Sequence, residues 1–169
     1  RALAGLGRSY QITSVFPEFT VLENVALAVQ AHAGHSFHFW RRAKDDQALL
    51  GPARAALNMV GMGSMQDRPV AALAHGQRRQ LEIAMTLATG ARLLLLDEPM
   101  AGMGSAESEA VVALLRRLKG QCTILLVEHD MDAVFALADR ITVLVYGRVI
   151  ASGTPEQIRA SPEVREAYL

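Results

Sequence analysis

The sequence predicts an α/β fold with a parallel sheet at its core. Two apolar runs point to it, Leu93–Leu96 and Thr123–Val127, each short enough for a strand and each followed by polar or charged residues. Between them lies a helical stretch, Ser105–Lys119, and a strand–helix–strand order of this kind pairs its strands in parallel.

In chain order, Thr20-Val21-Leu22-Glu23 reads as a capping box opening a helix over 21–31, with Val21, Val25 and Ala28 on one side. A second helix is expected over 45–60, where Leu49, Leu50, Ala53, Ala56, Leu57 and Val60 recur at helical spacing; Gly61, Gly63 and Pro69 then mark a loop. From Gln77 a third helix places Leu81, Ala84, Met85 and Ala88 in an apolar stripe, with Arg78, Arg79 and Glu82 off it, and Gly90 ends it. Leu93–Leu96 is expected to be buried on both faces and to deliver Asp97-Glu98-Pro99 at its end. Ser105 is expected to cap the next helix, which carries Glu107 and Glu109 early and Arg116, Arg117 and Lys119 late, the order that complements the helix dipole. After the second buried strand come a short helix over 130–138, a hairpin of 141–146 and 148–151 turning at Gly147, and a helix opened by Thr154-Pro155.

Lys+Arg and Asp+Glu both total 17, so the net charge is zero, and a polyanionic nucleic-acid partner is disfavoured. The single cysteine, Cys122, falls in an apolar run and reads as a small core residue. No apolar run approaches the length of a membrane span, so membrane association requires a partner chain.

Four features carry chemistry. Asp97 and Glu98 are adjacent carboxylates at the C-terminal end of a strand, the edge at which open α/β sheets hold ligands. Adjacent acids there are costly unless a cation or a reaction uses them, and the ordinary alternative is a strand that ends in a charged turn. His129, after the next strand, is either a turn histidine or a group able to reach the same crevice. Leu73-Ala74-His75-Gly76-Gln77 precedes a helix whose first N–H groups suit a phosphate, or is a plain helix start. Gln11 proves nothing alone.

Taken in order, Gln11, Leu73–Gln77, Leu93–Glu98, Ala101-Gly102-Met103-Gly104 and His129 resemble the Q-loop, signature, Walker B, D-loop and switch histidine of ABC transporter ATPases. The resemblance covers essentially all 169 residues. Arg8–Gln11, Thr20–Val25, Gln80–Ala84, Met100–Gly104 and Glu166–Leu169 look like the branched-chain amino-acid group of importers.

The resemblance implies a P-loop NTPase-like (RecA-like) parallel sheet core with an inserted α-helical subdomain. Residues 1–12 would end the N-terminal catalytic core with the Q-loop, 13–72 would be the helical subdomain, and 73–169 the signature helix and remaining core. It implies ATP and Mg2+ as cofactors, with Asp97 and Gln11 at the magnesium, Glu98 as general base and His129 at the γ-phosphate. Gln11 would also link nucleotide state to the membrane subunits. Ala74, His75, Gly76 and Gln77 would bind the ATP held by a second ATP-binding subunit, identical or paralogous. Two transmembrane permease subunits and, indirectly, a periplasmic solute-binding protein complete the expected assembly, with no nucleic acid. The expected location is the cytoplasmic face of the membrane, as a peripheral subunit.

The sequence contains no Gly-x-x-x-x-Gly-Lys-Ser/Thr segment, which in this family lies upstream of the Q-loop. Together with a first residue that is arginine rather than methionine, this predicts a partial cassette lacking the N-terminal strands and P-loop, with poor ATP binding and no activity by itself. Ala74 stands where the signature usually has serine, a loss of roughly 1.5–3 kcal/mol of hydrogen bonding to a charged phosphate. His75 replaces a common glycine and Gly104 a common aspartate, which suits the weaker of two composite sites. A degenerate, non-catalytic interaction module is the competing reading. A soluble DNA-repair or translation ATPase is a third, disfavoured by the neutral charge and the lack of a coiled-coil or zinc insertion. His32, His35 and His38 lack a cysteine or acidic ligand beside them and read as a surface insertion rather than a metal site.

Overall fold

In the computed structural model, residues 5–8, 15–33 and 46–168 are described. Contacts divide the chain into two units, 1–127 and 128–169.

In the first unit the three strands β1 (Leu6–Arg8), β2 (Leu93–Asp97) and β3 (Thr123–Val127) form a parallel sheet in the order β1-β2-β3. Leu93 is level with Leu6 on one side and Thr123 on the other. Helix α4 (Ser105–Leu118) makes the crossover from β2 to β3, the connection that parallel neighbours require. Gly7 is the close-approach point of β1: a Cβ there would overlap Thr86 Cγ2 and come within 2.9 Å of Ala91 Cβ.

Three further helices, α1 (Val21–Ala33), α2 (Gln47–Met59) and α3 (His75–Ala88), contact one another pairwise. Val21, Val25 and Val29 of α1, Leu49, Ala53 and Leu57 of α2, and Leu81 and Ala84 of α3 are buried. On α1 the stripe closes on Val29, while Ala28 is half-buried. The Thr20–Glu23 box forms as expected: Thr20 N–H donates to Glu23 Oε2 at 2.8 Å and Glu23 N–H to Thr20 Oγ1 at 3.2 Å. Asp46 caps α2 through Ala48 N–H, and the helix accommodates Pro52 within it.

Arg79 and Glu82 are buried, not off the stripe, because α3 is contacted by α1, α2, α4 and β1 and so has more than one covered face. On β2 only Leu94 and Leu96 are closed off; Leu93, Leu95 and Asp97 are half-buried. β3 is not a buried strand: Leu125 and Val127 are each 56% exposed. Exposed Thr123, Leu125 and Val127 alternate with half-buried Ile124 and Leu126, so the face they share is open to solvent. Gly104, not Ser105, is the N-cap residue of α4, and no side chain caps that helix.

Cys122 is half-buried and burial pushes its thiol pKa up, because the thiolate is the form that loses solvation. A raised pKa means less thiolate at any pH below it. Alkylation by iodoacetamide at pH 8 is therefore expected to run several-fold slower in the folded protein than in urea. Equal rates would show a thiol fully open to water.

In the second unit, helix α5 (Met131–Leu137) is capped by Asp130, which accepts from Asp132 N–H and Ala133 N–H. Strands β4 (Ile141–Val145) and β5 (Arg148–Gly153) pair antiparallel through Tyr146-Gly147, with φ of +49° and +75°. Two consecutive left-handed residues are what the tightest hairpin turns need, and the glycine supplies one without strain. Thr154 and Gln157 form a reciprocal box at the start of α6 (Pro155–Ala160), and α7 (Pro162–Tyr168) follows. Ile141, Val143, Ile158 and Val164 make the core, with Phe135 packed against it and Arg159 4.3 Å over the Phe135 ring. Among the described residues, no helix is long and apolar enough to cross a membrane.

Candidate functional site

Asp97 and Glu98 stand at the C-terminal end of β2, the middle strand of the parallel sheet among the described residues, and both are half-buried. Glu98 has φ +43°, a region that costs a residue with a Cβ of order 1–3 kcal/mol and persists where surrounding contacts over-determine it. Those contacts are present. Glu98 N–H donates to Val127 O at 2.9 Å, and Ala101 N–H donates to Glu98 O at 3.1 Å. Arg79 Nη2 donates to Asp97 O at 3.0 Å. The two carboxylates are thus carried by a backbone turn fixed from β3, from α3 and from the following 99–102 turn.

The expected phosphate-binding segment is a helix start. Ala74 is the N-cap residue of α3, with extended φ and ψ of −65° and 163°. His75, Gly76 and Gln77 form the first turn, with Ala74 and His75 exposed and Gly76 buried. Alanine offers no oxygen to the helix N–H groups, and two other side chains act at this end. Gln77 Oε1 accepts from Ala74 N–H at 3.1 Å. Glu107, from α4, accepts from Gly76 N–H at 3.4 Å. A Cβ on Gly76 would lie 3.3 Å from Glu107 Cβ, so the glycine lets the two helices meet closely.

His129 belongs to the second unit, and its side chain is 71% exposed. Its neighbour Glu128 is the opposite: that side chain is 1% exposed and its Oε2 accepts from His129 N–H and Asp130 N–H, with His129 Nδ1 3.7 Å away. The buried carboxylate thus holds the backbone that presents the histidine. Gln11 lies outside the described residues, as do His35 and His38; His32 sits in the last turn of α1. A cleft lined by Val145, Ile150, Glu163, Glu166 and Ala167, and another lined by Arg54, Leu57, Asn58, Gly63 and Gln66, contain none of the candidate residues.

Sequence reasoning missed Arg79, Glu82, Glu107 and Glu128. Opposite charges three apart on one helix were a usable signal for the Arg79–Glu82 pair. Nothing local marks Glu107, which reaches a residue 31 positions earlier.

A parallel β-α-β core that ends in adjacent acids, with the start of α3 at His75-Gly76-Gln77 in the same unit, defines the class of parallel-sheet α/β proteins. Comparison with known proteins narrows the class to a family. Residues 3–101 match the family model described as ABC transporter, and residues 148–169 match the one described as branched-chain amino acid ATP-binding cassette transporter. The high-affinity branched-chain amino acid transport ATP-binding proteins BraF of Pseudomonas aeruginosa and LivG of Escherichia coli are each 37% identical over 177 aligned residues, covering 99% of this chain and 69% of theirs. The chain belongs to the ABC transporter ATP-binding family. The crystal structure of the ADP conformation of an ATP-binding cassette superposes with a TM-score of 0.80 at 24% identity, covering 99% of this chain and 69% of that one, and so has the same fold.

Proposed function

We propose that this chain is the ATP-hydrolysing subunit of an importer for branched-chain amino acids or a similar small solute. The locked Asp97–Glu98 turn carries the hydrolytic half of this reading, and the match of residues 148–169 supports the solute class. In it, Glu98 polarises the attacking water, His129 bonds a γ-phosphate oxygen, and Ala74–Gln77 bind the nucleotide of a second ATP-binding subunit. Two permease subunits dock on a helical subdomain over 13–72, and Gln11 relays nucleotide state to them. The subunit then acts at the cytoplasmic face of the membrane, fed by a periplasmic solute-binding protein.

Asp97 and Glu98 offer only hard oxygen donors at a strand end, which suits magnesium better than a softer metal. With Gln11, Asp97 would hold it. Bound with ATP, magnesium would supply positive charge against the phosphate oxygens. The chain's own residues orient the water, accept its proton at Glu98, and supply the N-terminus of α3 at Gly76 and Gln77, where Gly76 N–H would exchange its bond to Glu107 for one to the phosphate.

The solute class is tested by ATP turnover of the transporter reconstituted with its membrane and solute-binding subunits. Leucine, isoleucine or valine should stimulate turnover; stimulation by an unrelated solute alone sinks the assignment. The 169-residue chain by itself is a separate case, since its sequence contains no Gly-x-x-x-x-Gly-Lys-Ser/Thr. A fluorescent ATP analogue with magnesium is expected to show no displaceable binding to it below about millimolar, a threshold near 4 kcal/mol of binding. Tight displaceable binding would mean that other residues cradle the phosphates.

A further inference from the structure

The peptide group that joins Asp97 to Glu98 is bonded at both of its polar ends. Its N–H donates to Val127 O at 2.9 Å, and its carbonyl accepts from Arg79 Nη2 at 3.0 Å. Rotation of this one peptide plane changes ψ of Asp97 and φ of Glu98 together, and so re-aims both carboxylates. The sheet bond alone would hold the plane at one edge. The guanidinium closes the other.

Arg79 is 7% exposed, and its Nη1 lies 2.7 Å from Oε2 of Glu82, itself 8% exposed. The second oxygen of Glu82, Oε1, is buried with no hydrogen-bond partner. Burying two charges and leaving one oxygen unmet is a poor way to stabilise a fold, because desolvation offsets the attraction. What the pair does supply is direction. Glu82, one turn further along α3, holds one arm of the guanidinium fork so that the other points at the strand end.

We infer that Arg79, aimed by Glu82, is a positioning residue for Asp97 and Glu98: it locks their shared peptide and ties its orientation to α3, whose first turn carries Gly76 and Gln77. The consequence for turnover rests on the hydrolytic role proposed for the two carboxylates; the lock itself does not. A shift or rotation of α3 reaches the carboxylates through this guanidinium.

Amide hydrogen exchange in the protein tests the lock without reference to activity. In Arg79→Met, exchange of the Glu98 amide is expected to rise about tenfold or more, while the mid-strand amide of Leu94 changes by less than about threefold. Arg79→Lys keeps the charge but not the fork, and should restore only part of the protection. Glu82→Gln keeps the side-chain shape and should release the Glu98 amide to a smaller extent, which preserves the test if Arg79→Met does not fold. In the assembled transporter the same variants should lower kcat with KM for ATP within about twofold. Glu98 and Leu94 amides accelerating together would overturn the proposal, because Arg79 would then act on stability alone. An unchanged Glu98 amide would overturn it as well. A released Glu98 amide with unchanged kcat would uphold the lock and overturn the hydrolytic role of the carboxylates.

Discussion

Glu98→Gln should lower ATP turnover by the assembled transporter about a hundred-fold or more, with nucleotide affinity altered only a few-fold. Glutamine has the same length and shape, but it cannot take a proton from water. The position of residue 98 is set by main-chain bonds, from its N–H to Val127 O and from Ala101 N–H to its own carbonyl, so the substitution leaves the turn in place. The left-handed φ of +43° is as open to glutamine as to glutamate. Steady-state turnover and equilibrium nucleotide binding, measured on the same preparation, separate chemistry from binding. Turnover within a few-fold of the parent would remove Glu98 from the role of base. A parallel loss of binding would point to damage at the turn instead.

That a non-glycine residue sits in a left-handed conformation at this point could not have been read from Leu93–Glu98. The run predicted a strand and a pair of acids, and both are there. It could not predict the peptide lock, because one partner, Arg79, comes from α3 earlier in the chain, and the other, Val127 O, from β3 beyond the α4 crossover. The features that were legible are those whose cause is local. Thr20–Glu23 and Thr154–Gln157 are four-residue boxes, and Gly147 permits its own turn. Exposure was less legible. An apolar run such as Thr123–Val127 reads as buried whatever lies beside it, yet Leu125 and Val127 are open at the sheet edge described. Arg79 and Glu82 fail in the opposite sense. Charge placed them on a solvent face, and the number of elements around α3 puts them inside. Position at strand ends offered Asp97, Glu98 and His129 as candidates, and family resemblance gave them roles. It gave no hint of Glu128 or Glu107, which hold the backbone on which His129 and Gly76 lie.

Asn24→Ala is expected to destabilise the protein by about 2–4 kcal/mol, because a buried side chain that meets several main-chain groups is lost. Asn24 is fully buried, in the first turn of α1. Its Oδ1 accepts from Phe16 N–H at 2.8 Å, and its Nδ2 donates to Phe16 O at 3.0 Å and Thr20 O at 2.9 Å. One amide thus satisfies both main-chain groups of Phe16 and fixes the 16–20 turn, whose Pro17 and Phe19 carbonyls in turn accept from Ala71 and Val70 N–H. Alanine would leave Phe16 N–H to find water, while Phe16 O would keep only its bond from Phe19 N–H at 3.2 Å. Aspartate retains the acceptor but loses both donors and buries a charge, so Asn24→Asp should be as damaging as alanine, or more so, at neutral pH. Denaturant unfolding of the three proteins checks this, with the slope compared to confirm that the same surface is exposed. A loss under about 0.5 kcal/mol for alanine would mean that water replaces the amide at little cost. The turn would then be held by its bonds from Val70 and Ala71, by Phe19 N–H to Phe16 O and by the Thr20–Glu23 box.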